Sequence, residues 1–155
     1  MEQAIFAAGC FWGVEQAFMN LPGVTNTRVG YIGGTTENPT YEAVCGGGTG
    51  HKEAVAVSFD PKKISYDDLL RVFWEIHDPT SWDRQGADHG EQYRSVIFYT
   101  NKEQKEKAEQ AKQERDESGM FDSPIVTEIL PAATFCEAEE YHQKYLQKNN
   151  KTCGA

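Results

Sequence analysis

The chain has 155 residues, 39% of them hydrophobic and 12% aromatic, which is enough apolar material for one globular core and excludes a disordered or fibrous chain. Twenty-four acidic against fifteen basic side chains leave a net charge of −9, which repels polyanions and argues against nucleic acid or an acidic membrane surface as partner. The cysteines at 10, 45, 136 and 153 include no Cys-x-x-Cys pair, so neither a zinc site nor a disulfide framework is expected, and the thiols are read as catalytic or buried.

The apolar run Ala4 to Ala8 is too short for a signal peptide or a membrane span and has an acidic Glu2 before it, so a cytoplasmic location is expected. It reads instead as a strand. A helix opens at Cys10, with Phe11, Val14, Phe18 and Leu21 on its inward face and Pro22-Gly23 as its stop. A strand over Thr25 to Ile32 leads into a glycine-rich excursion from Gly33 to Gly50 that holds a short helical segment at Tyr41 to Val44. His51 to Phe59 alternates as a strand, and Ser65 with Asp68 forms a capping-box start for a helix through Leu69, Phe73 and Ile76. Thr80 to Gln92 has no period, Ser95 to Tyr99 reads as an interior strand, and Asn101 caps a very polar helix over Lys102 to Glu117, whose charge run reads as a solvated face. A strand at Ile125 to Leu130 and a last helix from about Glu137 to Leu146 complete the chain, with 147–155 a mobile tail. The order β-α-β-β-α-β through Tyr99 predicts a single α+β domain, residues 1–155, with the split βαβ arrangement and two helices on one face of an antiparallel sheet.

Cys10 follows a buried strand through one glycine and begins a helix, which puts its sulfur beside unpaired backbone N–H groups and the positive end of the helix dipole, a setting that favours thiolate. The same position would also suit a small buried hydrophobe. Phe11 and Trp12 favour a site, because two large aromatics in a first turn cannot both face one core, and one is left to line a pocket. Glu53 shares its strand face with Val55, Val57 and Phe59, so it points inward, where a carboxyl tends to stay protonated and can serve as a general acid. The alternative is a frayed strand end, with Glu53 in solvent or paired with Arg28 or Arg94. Asp88 to Tyr93 and Tyr41 lie in irregular, polar loops of the kind common at sites, but ordinary turn chemistry accounts better for them on sequence alone, and neither segment decides the function. His142 shares a helical face with Ala138, Tyr141 and Tyr145 and reads as a packed histidine rather than a ligand.

At Gly9-Cys10-Phe11-Trp12-Gly13 the chain resembles the A-class peptide methionine sulfoxide reductases, whose signature is this GCFWG. Further matches run the length of the chain: Gly30-Tyr31, Asn38-Pro39-Thr40-Tyr41, Gly50-His51-Lys52-Glu53-Ala54-Val55, Phe59-Asp60-Pro61, His77-Asp78-Pro79, Asp88-His89-Gly90, Gln92-Tyr93-Arg94-Ser95 and His142-Gln143 with Tyr145-Leu146. The resemblance implies a ferredoxin-like core and reduction of the S epimer of methionine sulfoxide, in proteins and as the free amino acid, as repair of oxidised proteins. It implies that Cys10 attacks, that Phe11 and Trp12 hold the substrate methyl group, that Glu53, Tyr41 and Tyr93 bind the sulfoxide oxygen, and that Asp88 sits in the same polar cluster. These roles fit the chemistry, since a sulfoxide sulfur is electrophilic only once its oxygen is hydrogen-bonded or protonated. Thioredoxin is the implied reductant, no metal or organic cofactor is called for, and a monomer is expected.

The resolving thiol is assigned to Cys153, after the polar stretch Gln147 to Thr152, which has no apolar anchor. The resemblance supports this choice, because a cysteine shortly after the last helix commonly recycles such enzymes. Cys45, followed by three glycines, is the competitor; Cys136, at the expected start of the last helix, is held in place. The chain stops two residues after Cys153, so no relay through a second tail thiol is expected. A thiol peroxidase or cysteine hydrolase would also use an activated cysteine, but no histidine pairs evidently with Cys10. A redox-sensing or oxidised-methionine-binding module is the non-enzymatic alternative, and repeated turnover with dithiothreitol would exclude it.

Overall fold

The computed structural model describes residues 2–35, 39–46, 49–81, 84–85, 88–119, 121 and 123–145. Its frame is a six-stranded mixed sheet in the order β7-β6-β1-β3-β2-β8. The strands are β1 (Glu2–Ala8), β2 (Val24–Ile32), β3 (Lys52–Phe59), β6 (Ser95–Tyr99), β7 (Glu128–Pro131) and β8 (Cys136–Glu137), while β4 (Arg84–Gln85) and β5 (Asp88–His89) pair in a separate small hairpin. All pairs in the large sheet are antiparallel except β6 with β7. The described residues also form helices α1 (Phe11–Met19), α2 (Tyr41–Cys45), α3 (Tyr66–Glu75) and α4 (Lys102–Glu117), with 3₁₀ turns at Glu91–Tyr93 and Glu140–His142.

The central strands are apolar on both sides because both faces of the sheet are covered. Phe6, Val29, Val55, Val57, Phe59 and Ile97 face α1 and α3, which contribute Phe11, Phe18, Leu69 and Phe73 to the same cluster. Ile5, Ala7, Ala54, Ala56, Val96 and Phe98 face the other way, with Leu130 and Phe135 packed against them. Phe6 sits between the layers, its ring 5.1 Å from Phe18 and 5.3 Å from Phe73. The Ser65 capping box is present, with Ser65 Oγ accepting from the Asp68 amide and the Asp68 carboxylate accepting from the Ser65 amide. Asn101 caps α4, whose only buried residues are Gln104 and Ala108, as expected of a solvated helix.

The C-terminal part departs from expectation. The strand expected from Ile125 begins at Glu128, because Val126 gives its N–H to the Pro79 carbonyl instead of to a strand. No α-helix occupies described residues 137–144: Cys136 and Glu137 form β8 against Tyr31 and Gly30, Glu140–His142 make a single 3₁₀ turn, and helical backbone is reached only at Tyr145. Cys136 is therefore a strand residue, not a helix start. The reason is competition for backbone partners. The Gln143 side chain accepts from the Val29 N–H at 2.8 Å and donates to the Val29 carbonyl at 2.9 Å, acting as a strand neighbour for β2, and Lys144 has φ of 54°, which no right-handed helix permits. The amphipathic spacing that suggested a helix comes from a strap that buries His142 and Gln143 while threading along β2.

Candidate active site

Gly9 joins β1 to α1 with φ of +104°, a left-handed conformation that a side chain would strain, and a Cβ there would meet Gln85 at 3.0 Å. This turn delivers Cys10 to the N-cap position of α1, partly exposed, on the rim of an open cleft of about 510 Å³ that Gly13, Ala17, Ile76, Gln85 and Asp88 also line. Phe11, next in line, is fully buried, and Trp12 is partly buried against the core, so the first turn divides its two aromatics between interior and surface.

Glu53 is 1% exposed and pairs in register with Tyr31, so it lies within the sheet and not at a frayed end. Its Oε1 accepts from the Phe11 N–H at 3.2 Å, the amide immediately after Cys10. Its Oε2 is buried with no hydrogen-bond partner of good geometry among the described residues. Burial pushes the carboxyl up to about 8; the nearby negative charge of Asp88 adds to this, and the Phe11 amide and Tyr93 hydroxyl oppose it. Arg28, a partner considered from sequence, is engaged with Glu137 at 2.9 Å and Glu140 at 3.4 Å.

Two tyrosines feel the charge of this carboxyl. Burial and the Glu53 charge push the Tyr93 hydroxyl up, with smaller contributions from Cys45, Asp88 and Cys10, which places all of these groups around Tyr93. Burial likewise pushes Tyr41 up, along with its hydrogen bond to Cys45 and the Glu53 charge. Both phenols therefore keep their protons and can donate them to an oxygen. Tyr41 is held by its backbone: its N–H donates to Glu139 Oε2 at 3.2 Å, and Glu139 Oε1 accepts from the Tyr31 hydroxyl at 3.0 Å. Cys45 is exposed and hydrogen-bonds Tyr41 and Gln92, and partial desolvation pushes its thiol up. Cys136 lies in β8, and Cys153 lies outside the described residues.

An aromatic group stands beside the polar one. Tyr41 lies 6.3 Å from Phe11 and 6.2 Å from Trp12, ring to ring, and Tyr145 stacks on Trp12 at 4.0 Å. His142 packs against Tyr41 at 4.4 Å, and its Nδ1 accepts from Trp12 Nε1–H at 3.0 Å, while burial holds its pKa below the usual histidine value. His142 is a packed histidine, as the sequence suggested, yet its packing partners are the site aromatics. Its role beside Trp12, and those of Glu139 and Gln92, had no sequence signal beyond the aromatic density of Tyr141 to Tyr145, because each depends on contacts with distant segments. Among the described residues no group of three His, Cys, Asp or Glu side chains could hold a metal ion, and no helix is long and apolar enough to cross a membrane. A thiol at a helix start, a protonated carboxyl and two phenols beside a cluster of aromatic rings can together attack a soft electrophile and protonate its departing oxygen.

Comparison with known proteins points the same way. A family model described as peptide methionine sulfoxide reductase matches residues 2–154. The peptide methionine sulfoxide reductase MsrA of Methanothermobacter thermautotrophicus is 62% identical over 148 residues, covering 96% of this chain and 88% of that protein; that of Geobacter sulfurreducens is 56% identical, covering 96% and 91%. Among solved structures, Mxr1 from Saccharomyces cerevisiae in reduced form matches with a TM-score of 0.90 at 36% identity, covering 96% of this chain and 86% of that one. Mxr1 in complex with Trx2 shares the fold, with a TM-score of 0.65 at 24% identity over 93% of this chain and 84% of that one.

Proposed function

The chain belongs to the peptide methionine sulfoxide reductase family and is an oxidoreductase, and from that premise we propose that it reduces the S epimer of methionine sulfoxide, in proteins and as the free amino acid, with Cys10 as nucleophile and Glu53 as general acid. One observation carries the reading: the buried Glu53 carboxyl, held protonated to about pH 8, bonds the amide next to Cys10. An acid and a thiol are thereby set across one small site. The sulfoxide methyl group would enter between Phe11 and Trp12, and its oxygen would take hydrogen bonds from Glu53, Tyr41 and Tyr93, with Asp88 in the same polar cluster. The Cys10 thiolate, favoured by the N-terminus of α1, attacks sulfur as Glu53 gives its proton to the oxygen. The S–O bond breaks as the hydroxyl passes to the Cys10 sulfur, the bond between the Cys10 and substrate sulfurs breaks with its electron pair going to methionine, and Cys10 is left as a sulfenic acid.

The Cys153 thiol then displaces water from that sulfenic acid to form a disulfide, which thioredoxin reduces by thiol–disulfide exchange. The Mxr1 complex with Trx2 supports this choice of reductant. Such recycling suits the cytoplasm, where thiols are kept reduced. We further read the β6-β1-β3-β2 order, with α1 and α3 on one face, as a ferredoxin-like core, and the chain as a monomeric, single catalytic domain that needs no cofactor. The test is turnover of the separated S and R epimers of a sulfoxide peptide by the wild type and by Cys10→Ser. Turnover of S alone, lost in the serine variant, is expected; retained activity in Cys10→Ser would sink the reading.

A further inference from the structure

Glu15 is a carboxylate where a core residue would ordinarily sit. It lies on α1 one turn beyond Phe11 and Trp12, on the same side of the helix as both, and is 1% exposed. Burying a carboxylate is costly unless it is bonded, and both of its oxygens are: Oε2 accepts from Thr27 Oγ1–H at 2.7 Å, and Oε1 accepts from the Lys144 backbone N–H at 2.5 Å. Lys144 is the one non-glycine among the described residues with positive φ, 54°, and its Nζ donates to the Thr27 carbonyl at 3.2 Å. A lysine holds a left-handed backbone only where its surroundings impose it, and here Glu15 takes the amide while Thr27 takes the side chain.

The residues flanking that turn pack on Trp12. His142 accepts from the Trp12 indole N–H at 3.0 Å, and the Tyr145 ring stacks on Trp12 at 4.0 Å with 18° between planes. The other strap bonds, from Gln143 to Val29 and from Glu139 to Tyr31, tie it to β2. The Glu15 bond instead ties its backbone to the helix that carries Cys10 and Trp12. We propose that Glu15 is a positioning residue for substrate binding: it fixes the left-handed turn at Lys144 and so holds His142 and Tyr145 against Trp12 at the spacing the methyl pocket requires. This inference rests on the sulfoxide reductase reading, in which Trp12 lines that pocket. Glu15 takes no part in the chemistry, so its loss should weaken binding and leave the bond-making step alone.

The experiment follows sulfenic acid formation in single turnover against the concentration of a methionine-sulfoxide peptide, for the full chain, Glu15→Leu, Glu15→Gln and Lys144→Pro. Leucine removes both bonds while keeping an apolar filling, whereas proline removes the Lys144 N–H and forbids positive φ without touching the core. Both should raise the half-saturating peptide concentration about tenfold, the effect of one lost positioning hydrogen bond, with a limiting rate within about twofold of wild type. Glu15→Gln should bind nearly as wild type, because its amide oxygen accepts from Lys144 and its amide N–H2 donates to Thr27 Oγ1. Unchanged half-saturation in Lys144→Pro and in folded Glu15→Leu would overturn the proposal, as would a fall in limiting rate with half-saturation unmoved; if Glu15→Leu does not fold, Lys144→Pro decides. A wild type that turns over no sulfoxide peptide would sink the functional reading, and this inference with it, whereas an active wild type with unshifted variants overturns only the role of Glu15.

Discussion

At Glu53 burial opposes ionisation strongly enough to hold the carboxyl at about 8, against the Phe11 amide and the Tyr93 hydroxyl, which favour the anion. A carboxyl that must give a proton to the sulfoxide loses that capacity as it ionises. The single-turnover rate of sulfenic acid formation should therefore fall as pH rises through about 8. Glu53→Gln should slow that step by roughly 10²-fold or more and lack the alkaline fall, since an amide hydrogen-bonds without donating a proton. If only the later disulfide step slowed, Glu53 would have the wrong role. The same shift has a stability consequence. The folded pKa lies above that of an unfolded glutamate, about 4.3, so between that value and about 8 the folded chain holds a proton that the unfolded chain has released. Stability falls as pH rises through this window and stops falling above it. Urea midpoints should drop more between pH 5 and pH 8 for the wild type than for Glu53→Gln.

Two elements meet at Trp12, the first turn of α1 and the strap of residues 137–145. Trp12 is partly buried, with Tyr41, His142 and Tyr145 around it, so it divides its contacts between core and pocket. Trp12→Ala should raise the half-saturating sulfoxide concentration more than it lowers the melting temperature; a large thermal loss with unchanged binding would return Trp12 to the core. The strap depends on Gln143, which is 1% exposed and bonds Val29 N–H, the Val29 carbonyl and the Ala138 carbonyl. Gln143→Leu keeps volume but leaves these buried groups without partners, at roughly 1–3 kcal/mol for each group. A clear drop in urea midpoint is expected, and an unchanged midpoint would mean that the strap is held by its other bonds, those of Arg28, Glu139, Glu15 and Trp12.

The whole molecule assembles its site from four separate stretches, with Cys10 at the end of β1, Tyr41 opening α2, Glu53 in β3 and Tyr93 before β6. The proposed recycling also needs a second thiol. Cys136 is fixed in β8 opposite Tyr31, Cys45 is exposed and remains the competitor, and Cys153 is the proposed resolving residue. Mass spectrometry after one equivalent of sulfoxide, without reductant, should find a Cys10–Cys153 linked peptide, and Cys153→Ser should lose thioredoxin-driven turnover. Full turnover in Cys153→Ser with loss in Cys45→Ser would move the assignment to Cys45. Much of this frame was legible in the sequence. Strand and helix periods located β1, α1, β2, β3, α3, β6 and α4, because those patterns record which side of each element meets the core. Strand parity alone turned Glu53 inward, and the single glycine before Cys10 placed that thiol at a helix start. What parity could not supply was the partner, since the Phe11 amide lies 42 residues away and only sheet register brings it to Glu53. Tertiary structure likewise decided the C-terminal strap, where a helical spacing from Ala138 to His142 lost to the bonds that Gln143 and Glu15 make with β2 and Lys144. Local sequence determines which face of an element is apolar; which backbone groups find long-range partners is determined only when the sheet has formed.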